Sequence, residues 1–173
     1  MYDRIADMNI YLVGFMGTGK SAVGKELAKR KKLQFVDLDG LIELKEKRAI
    51  RDIFAVSGET YFRKVEKRVL REVSSQNNLV VACGGGIVLD EGNIALMKKT
   101  GTLICLTATP AVILKRTSRC IHRPLLNVKD PKKQIGHLLK LRAPYYAKAC
   151  KIVDTSKLSV KEVVAMILKI KKI

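Results

Sequence analysis

Eight consecutive residues, Gly14-Phe15-Met16-Gly17-Thr18-Gly19-Lys20-Ser21, constrain this chain more than any other stretch. They have the G-x-x-x-x-G-K-[ST] form of a P-loop, in which glycines let the backbone curl until successive N–H groups point at phosphate oxygens. Such a pattern carries weight only between a strand and a helix, and both flanks fit. Asn9 to Val13 is an apolar, β-rich run suited to a buried strand; beyond the loop, Val23 and Leu27 stand four residues apart ahead of a basic cluster from Lys29 to Lys32. The expectation is an α/β fold holding a polyphosphate such as ATP. Gly14, Gly17, Thr18 and Gly19 would form the cradle, Lys20 would bring charge to the β- and γ-phosphates, and the Ser21 hydroxyl would ligate Mg²⁺. The helix N-terminus behind them would add its dipole.

Leu33 to Val36 reads as a second strand running into Asp37-Leu38-Asp39-Gly40. Ligands collect at the C-terminal edge of a parallel sheet, and alternate residues of an extended chain point the same way, so Asp37 and Asp39 are expected to share one side. One would serve the metal ion and the other a substrate hydroxyl; for Asp39 a helix N-cap is the competing reading. Leu41 to Phe54 has a helical pattern, Ser57-Gly58-Glu59 punctuates it, and Phe62, Val65, Val69 and Val73 then mark a second helix. Arg63 lies beside that apolar stripe, early in the helix, where a positive charge is disfavoured by the dipole and therefore suggests a task. A third strand, Leu79 to Ala82, delivers Cys83 and then Gly84-Gly85-Gly86. Three residues without side chains open the backbone to a ligand or simply make a tight turn. No Asp ends this strand, as one would in the motor ATPases, which moves the metal-binding acid to Asp37 and argues against large P-loop machines.

Further on, Asp90 to Lys99 suggests a helix, Thr102 to Leu106 a fourth strand, and Thr109-Pro110 a helix opening with threonine as N-cap. Periodicity stops from Ser118 to Asp130, where Arg119, His122 and Arg123 lie on a loop that could close over a nucleotide as a lid or remain an exposed basic loop. A helix from Pro131 leads to Arg142-Ala143-Pro144-Tyr145-Tyr146, followed by a short strand, Lys151 to Val153. Val160, Val163, Val164, Ile167 and Leu168 then form the docking stripe of a closing helix. His122 and His137 are isolated from ligand-type neighbours and carry no metal or catalytic assignment.

A length of 173 residues suits one domain, 1–173, with its own core. No run approaches the roughly 18 apolar residues of a membrane span, and the first residues lack a signal-peptide core, so a cytoplasmic protein is expected. Four cysteines scattered without a C-x-x-C pair argue against a zinc knuckle and a redox motif. The formal charge of +18 raises the possibility of a nucleic-acid partner. Yet the basic runs have no interleaved aromatics to stack on bases, which favours a solvated basic surface that attracts anionic substrates.

Taken together, these stretches resemble the shikimate kinase family over nearly the whole chain. The matching residues are 14 to 21, Asp-Leu-Asp at 37 to 39, Ile-Phe at 53 and 54, and Gly-Glu with Phe-Arg from 58 to 63. They continue with Gly-Gly-Gly at 84 to 86, Arg-Pro-Leu-Leu at 123 to 126 and Arg-Ala-Pro-Tyr-Tyr at 142 to 146. The resemblance implies a nucleoside-monophosphate-kinase-like P-loop fold in three layers: a five-stranded parallel sheet flanked by helices, with a lid near 118–130. It implies phosphoryl transfer from ATP to the 3-hydroxyl of shikimate. Asp39 would bind the reacting hydroxyls, Arg63 and Arg142 the carboxylate, and the amides of Gly84, Gly85 and Gly86 the rest of the substrate. Lys20 and Arg123 would meet phosphate charge, Ser21 and Asp37 would hold Mg²⁺, and Arg116 would stack on adenine. No obligate protein partner and a monomeric state are expected. A gluconate or nucleoside-monophosphate kinase of the same fold, or a basic nucleic-acid-binding module retaining a P-loop, are the competing readings.

Overall fold

Strand β1, Asn9–Val13, is buried along its whole length, and its side chains divide by parity between two cores. Tyr11 and Val13 enter one cluster, while Ile10 and Leu12 enter the other. That is the pattern of a central strand covered on both faces. The computed structural model describes residues 8–118, 129–149 and 151–170. Within them, β2 (Gln34–Asp37), β3 (Leu79–Ala82), β4 (Gly101–Thr107) and β5 (Lys151–Asp154) join β1 in a parallel five-stranded sheet of order β2-β3-β1-β4-β5.

Helices α1 (Lys20–Lys31) and α7 (Val160–Leu168) cover one face through Val23, Leu27, Val163, Val164 and Ile167. The other face is covered by α2 (Leu38–Glu46), α3 (Ile50–Ser74) and α4 (Glu91–Thr100). A third cluster, Phe15, Ala108, Ile113 and Ile135, lies beneath the glycine loop of residues 14–19, the donor loop of the expected kinase, and joins α5 (Pro110–Thr117) to α6 (Pro131–Tyr146). Because β1 is flanked by β3 on one side and β4 on the other, the loop after β1 emerges at the point where strand order reverses, the crevice where α/β sheets bind ligands. No helix among the described residues is long and apolar enough to cross a membrane.

Three sequence expectations need correction. Asp37 and Asp39 do not share an extended strand end: the helix begins at Leu38, with Asp37 as its N-cap accepting from the Gly40 amide, and Asp39 lies inside the first turn. The cap expected as an alternative at Asp39 therefore falls to Asp37. Nor is Leu41 to Phe54 one helix. Lys47, with φ 52°, ends α2, and α3 starts at Ile50, whose amide donates to Glu43 Oε1 at 2.8 Å. Finally, the α7 stripe is narrower than its spacing suggests, since Val160 and Leu168 at its ends are exposed. Two other expectations hold: Gly58 breaks the helical path of α3 with φ 77° and ψ 170°, and Thr109 caps α5 ahead of Pro110. Most of the lid region, with Arg119, His122 and Arg123, lies outside the described residues, as do Cys120 and Cys150.

Candidate active site

The donor loop has the backbone its glycines require. Gly14 has φ +137°, and a Cβ there would fall 2.1 Å from the Leu106 carbonyl oxygen of β4. Gly19 caps α1 without a side chain, and the first turn of α1 carries no acid, so the positive helix end faces the loop uncompensated. Lys20 Nζ donates to the carbonyls of Gly14 at 2.8 Å and Phe15 at 2.9 Å, which holds the ammonium over the mouth of the loop. Ser21 Oγ donates to Asp37 Oδ2 at 2.8 Å. A hydroxyl and a carboxylate side by side fit Mg²⁺, a hard cation that takes few protein oxygens and completes its shell with phosphate and water. Among the described residues there is no larger metal-type cluster of His, Cys, Asp and Glu.

The opposite wall comes from α3, α6 and the turn after β3. Arg63 Nη1 donates to Glu66 Oε2 at 2.7 Å, and Nη2 to Glu59 Oε1 at 3.1 Å. Burial opposes the Arg63 charge, yet the two carboxylates outweigh it and hold the guanidinium above the usual arginine range. The Glu66 side chain is 1% exposed. Burial pushes its carboxyl up against the pull of Arg63, and its Oε1 has no hydrogen-bond partner among the described residues.

The glycine turn is bare because side chains crowd it. A Cβ on Gly84 would sit 2.8 Å from Asp39 Oδ1 and 2.9 Å from Glu66 Oε1; one on Gly86 would sit 2.3 Å from Arg63 Nη2. At Gly84 and Gly86 the close approach of charged side chains leaves little room for a Cβ, whereas at Gly85 the nearest atom would be 3.4 Å away.

Arg142 is buried on the inner face of α6, with its guanidinium 5.5 Å from the centre of the Phe15 ring. Phe15 belongs to the donor loop, so this cation–π contact ties the two halves of the site together. All of these groups line one cavity of about 880 Å³: Lys20, Ser21, Asp37, Asp39, Arg63, Glu66, Gly84 to Gly86 and Arg142.

Elsewhere, Arg116 donates to the Gly17 carbonyl at 3.2 Å, the Thr155 hydroxyl at 2.9 Å and the Thr155 carbonyl at 2.8 Å. The Thr155 hydroxyl in turn reaches the Thr18 carbonyl at 2.9 Å. Arg116 is therefore fixed between the donor loop and the turn after β5, while Arg123 lies outside the described residues.

Sequence reasoning missed Glu66. A signal was present: Phe62, Val65, Val69 and Val73 define a buried stripe, and position 66, four residues after Phe62, falls on it. An acid at a core-facing position predicts a buried partner, here Arg63 one turn earlier.

The family model described as shikimate kinase matches residues 16–171. The shikimate kinase of Caldanaerobacter subterraneus subsp. tengcongensis is 44% identical over 155 residues, covering 90% of this chain and 91% of that protein. The bifunctional shikimate kinase/3-dehydroquinate synthase of Thermotoga maritima is 43% identical over 92% of this chain, which corresponds to 32% of that longer protein. Among solved structures, the Acinetobacter baumannii shikimate kinase in complex with shikimate superposes with a TM-score of 0.90 at 38% identity, covering 94% of this chain and 91% of the other. The Aquifex aeolicus shikimate kinase gives 0.82 at 37% identity, covering 93% and 94%. With that pattern running from the donor loop to the closing helix, on the same fold, the chain belongs to the shikimate kinase family.

Proposed function

We propose that the chain transfers the γ-phosphoryl group of ATP to the 3-hydroxyl of shikimate, yielding ADP and shikimate 3-phosphate on the route to chorismate and the aromatic amino acids. The observation that carries this reading is the pairing, within one cavity, of a polyphosphate loop with a wall of two arginines, an aspartate and a bare glycine turn. Two guanidinium forks suit a planar carboxylate, and Asp39 suits a ring hydroxyl. The shikimate held by the Acinetobacter baumannii relative supports the same acceptor.

Phosphoryl transfer asks the protein mainly for in-line positioning and neutralisation of charge. In this reading Arg63 and Arg142 grip the carboxylate, with Glu66 and Glu59 setting the Arg63 fork. The amides of Gly84 to Gly86 complete the acceptor pocket. Asp39 receives or orients the proton of the attacking hydroxyl. Gly14, Gly17, Thr18 and Gly19 cradle the donor phosphates, Lys20 and Arg123 meet their charge, and Arg116 packs on adenine. Ser21 and Asp37 would hold Mg²⁺, which when bound would offset the charge on the donor phosphates. In this reading the chain works as one kinase domain, a cytoplasmic monomer needing no protein partner; the single five-stranded sheet supports the one-domain part of it.

A gluconate kinase is the nearest alternative, because gluconate is also a polyol acid. A nucleotide acceptor would need a base pocket and cations for a second phosphate. In a coupled assay of ADP release, turnover is expected with shikimate and not with gluconate or AMP. Silence with shikimate, or salt-dependent binding to nonspecific DNA in its place, would overturn the proposal.

A further inference from the structure

Tyr146 closes α6, 6% exposed, one helical turn beyond Arg142 and hence on the same face. Its hydroxyl donates to the Gly85 carbonyl at 2.7 Å, and the Arg142 guanidinium lies beside it. Burial pushes the phenol up to about 12, so it remains a donor at any working pH.

A trans peptide is planar, with its C=O and N–H pointing in opposite directions, and no cis bond occurs among the described residues. Because the Gly85 carbonyl is drawn toward Tyr146, the amide N–H of Gly86 faces the other way. Gly85, Gly86, Arg63 and Arg142 line the cavity, whereas Tyr146 stands behind the glycine turn, off the cavity wall. The N–H is thus turned into the cavity. Two guanidinium groups flank that peptide: Arg142 Nη1 lies 3.5 Å from a Cβ built on Gly85, and Arg63 Nη2 lies 2.3 Å from one built on Gly86.

We propose that Tyr146 is a positioning residue for the acceptor. It locks the Gly85–Gly86 peptide so that the Gly86 N–H becomes a third donor to the carboxylate, and it holds the Arg142 fork in line with that donor. This rests on the reading of Arg63 and Arg142 as carboxylate anchors. A tyrosine serving only as core would, on losing its hydroxyl, cost stability and leave substrate preference alone.

The test is Tyr146→Phe in the full chain, with shikimate and its methyl ester as acceptors. Losing an oriented, charge-assisted donor should raise KM for shikimate about tenfold. The kcat and the KM for ATP should stay within about twofold, and the methyl ester should be used equally by variant and unaltered chain. An unchanged KM for shikimate, an equal rise for acid and ester, or a matching rise for ATP would overturn the positioning role.

A second measurement needs no variant. In the unaltered, isotope-labelled chain the Gly86 amide proton should move downfield on adding shikimate and stay in place with the ester; no movement with shikimate sinks the proposal. Turnover of shikimate by the unaltered chain, measured first, separates the two readings. If turnover is present and Tyr146→Phe is silent, only the positioning role fails, and if turnover is absent both fail.

Discussion

Asp39→Asn lowers kcat by about 10²- to 10⁴-fold while ATP affinity stays within about twofold of the unaltered chain. Asp39 sits in the first turn of α2 with a carboxylate oxygen 2.8 Å from where a Gly84 side chain would begin, so the carboxylate overhangs the bare turn on the acceptor side of the cavity. Asparagine keeps the shape and one acceptor oxygen but loses the charge and cannot take a proton. A large loss in kcat with ATP affinity kept therefore assigns Asp39 to the acceptor hydroxyl and not to the nucleotide. Calorimetry with ATP and steady-state rates with shikimate measure the two halves independently. A rate near that of the unaltered chain would remove Asp39 from the chemistry.

Lys20→Ala should cost about 10²- to 10³-fold in kcat with a raised KM for ATP, the magnitude typical of deleting one donor aimed at developing charge. The ammonium is held over the loop by the Gly14 and Phe15 carbonyls, and in the proposed reading phosphate oxygens would take the place of these partners. Lys20→Arg is not expected to restore the rate, since a planar fork cannot occupy the place of a compact ammonium. Shikimate affinity in the absence of nucleotide should be unaffected in both variants. A loss confined to shikimate binding would contradict the assignment of Lys20 to the donor half.

How much of this was legible beforehand depended on the range of the interaction. The donor loop, β1, β3 and the Thr109 cap are specified by neighbours a few residues away, and each appears where the pattern placed it. The start of α2 was misplaced because Asp37 and Asp39 are equally good caps in sequence. The cap falls to Asp37 because its carboxylate reaches the Gly40 amide, a detail of side-chain geometry that residue type does not encode. The end of α2 at Lys47, a non-glycine residue in the left-handed region, has no turn signal of its own and follows from how α2 and α3 pack.

Charged residues at the site were legible in identity but not in pairing. Glu66 reads as one more acid on a charged helix until its burial and its bond to Arg63 are known. Arg116 and Thr155 are 39 residues apart, and only the parallel pairing of β4 and β5 brings them together beside the loop. Thr155 supplies the contact that fixes Arg116.

Phosphorus–proton correlation NMR of the product identifies which hydroxyl receives the phosphoryl group. Incubation with ATP, Mg²⁺ and shikimate is expected to give one phosphorylated acceptor whose phosphorus couples to the proton on carbon 3. Coupling to a proton on another ring carbon, or release of free phosphate with shikimate left unmodified, would contradict it.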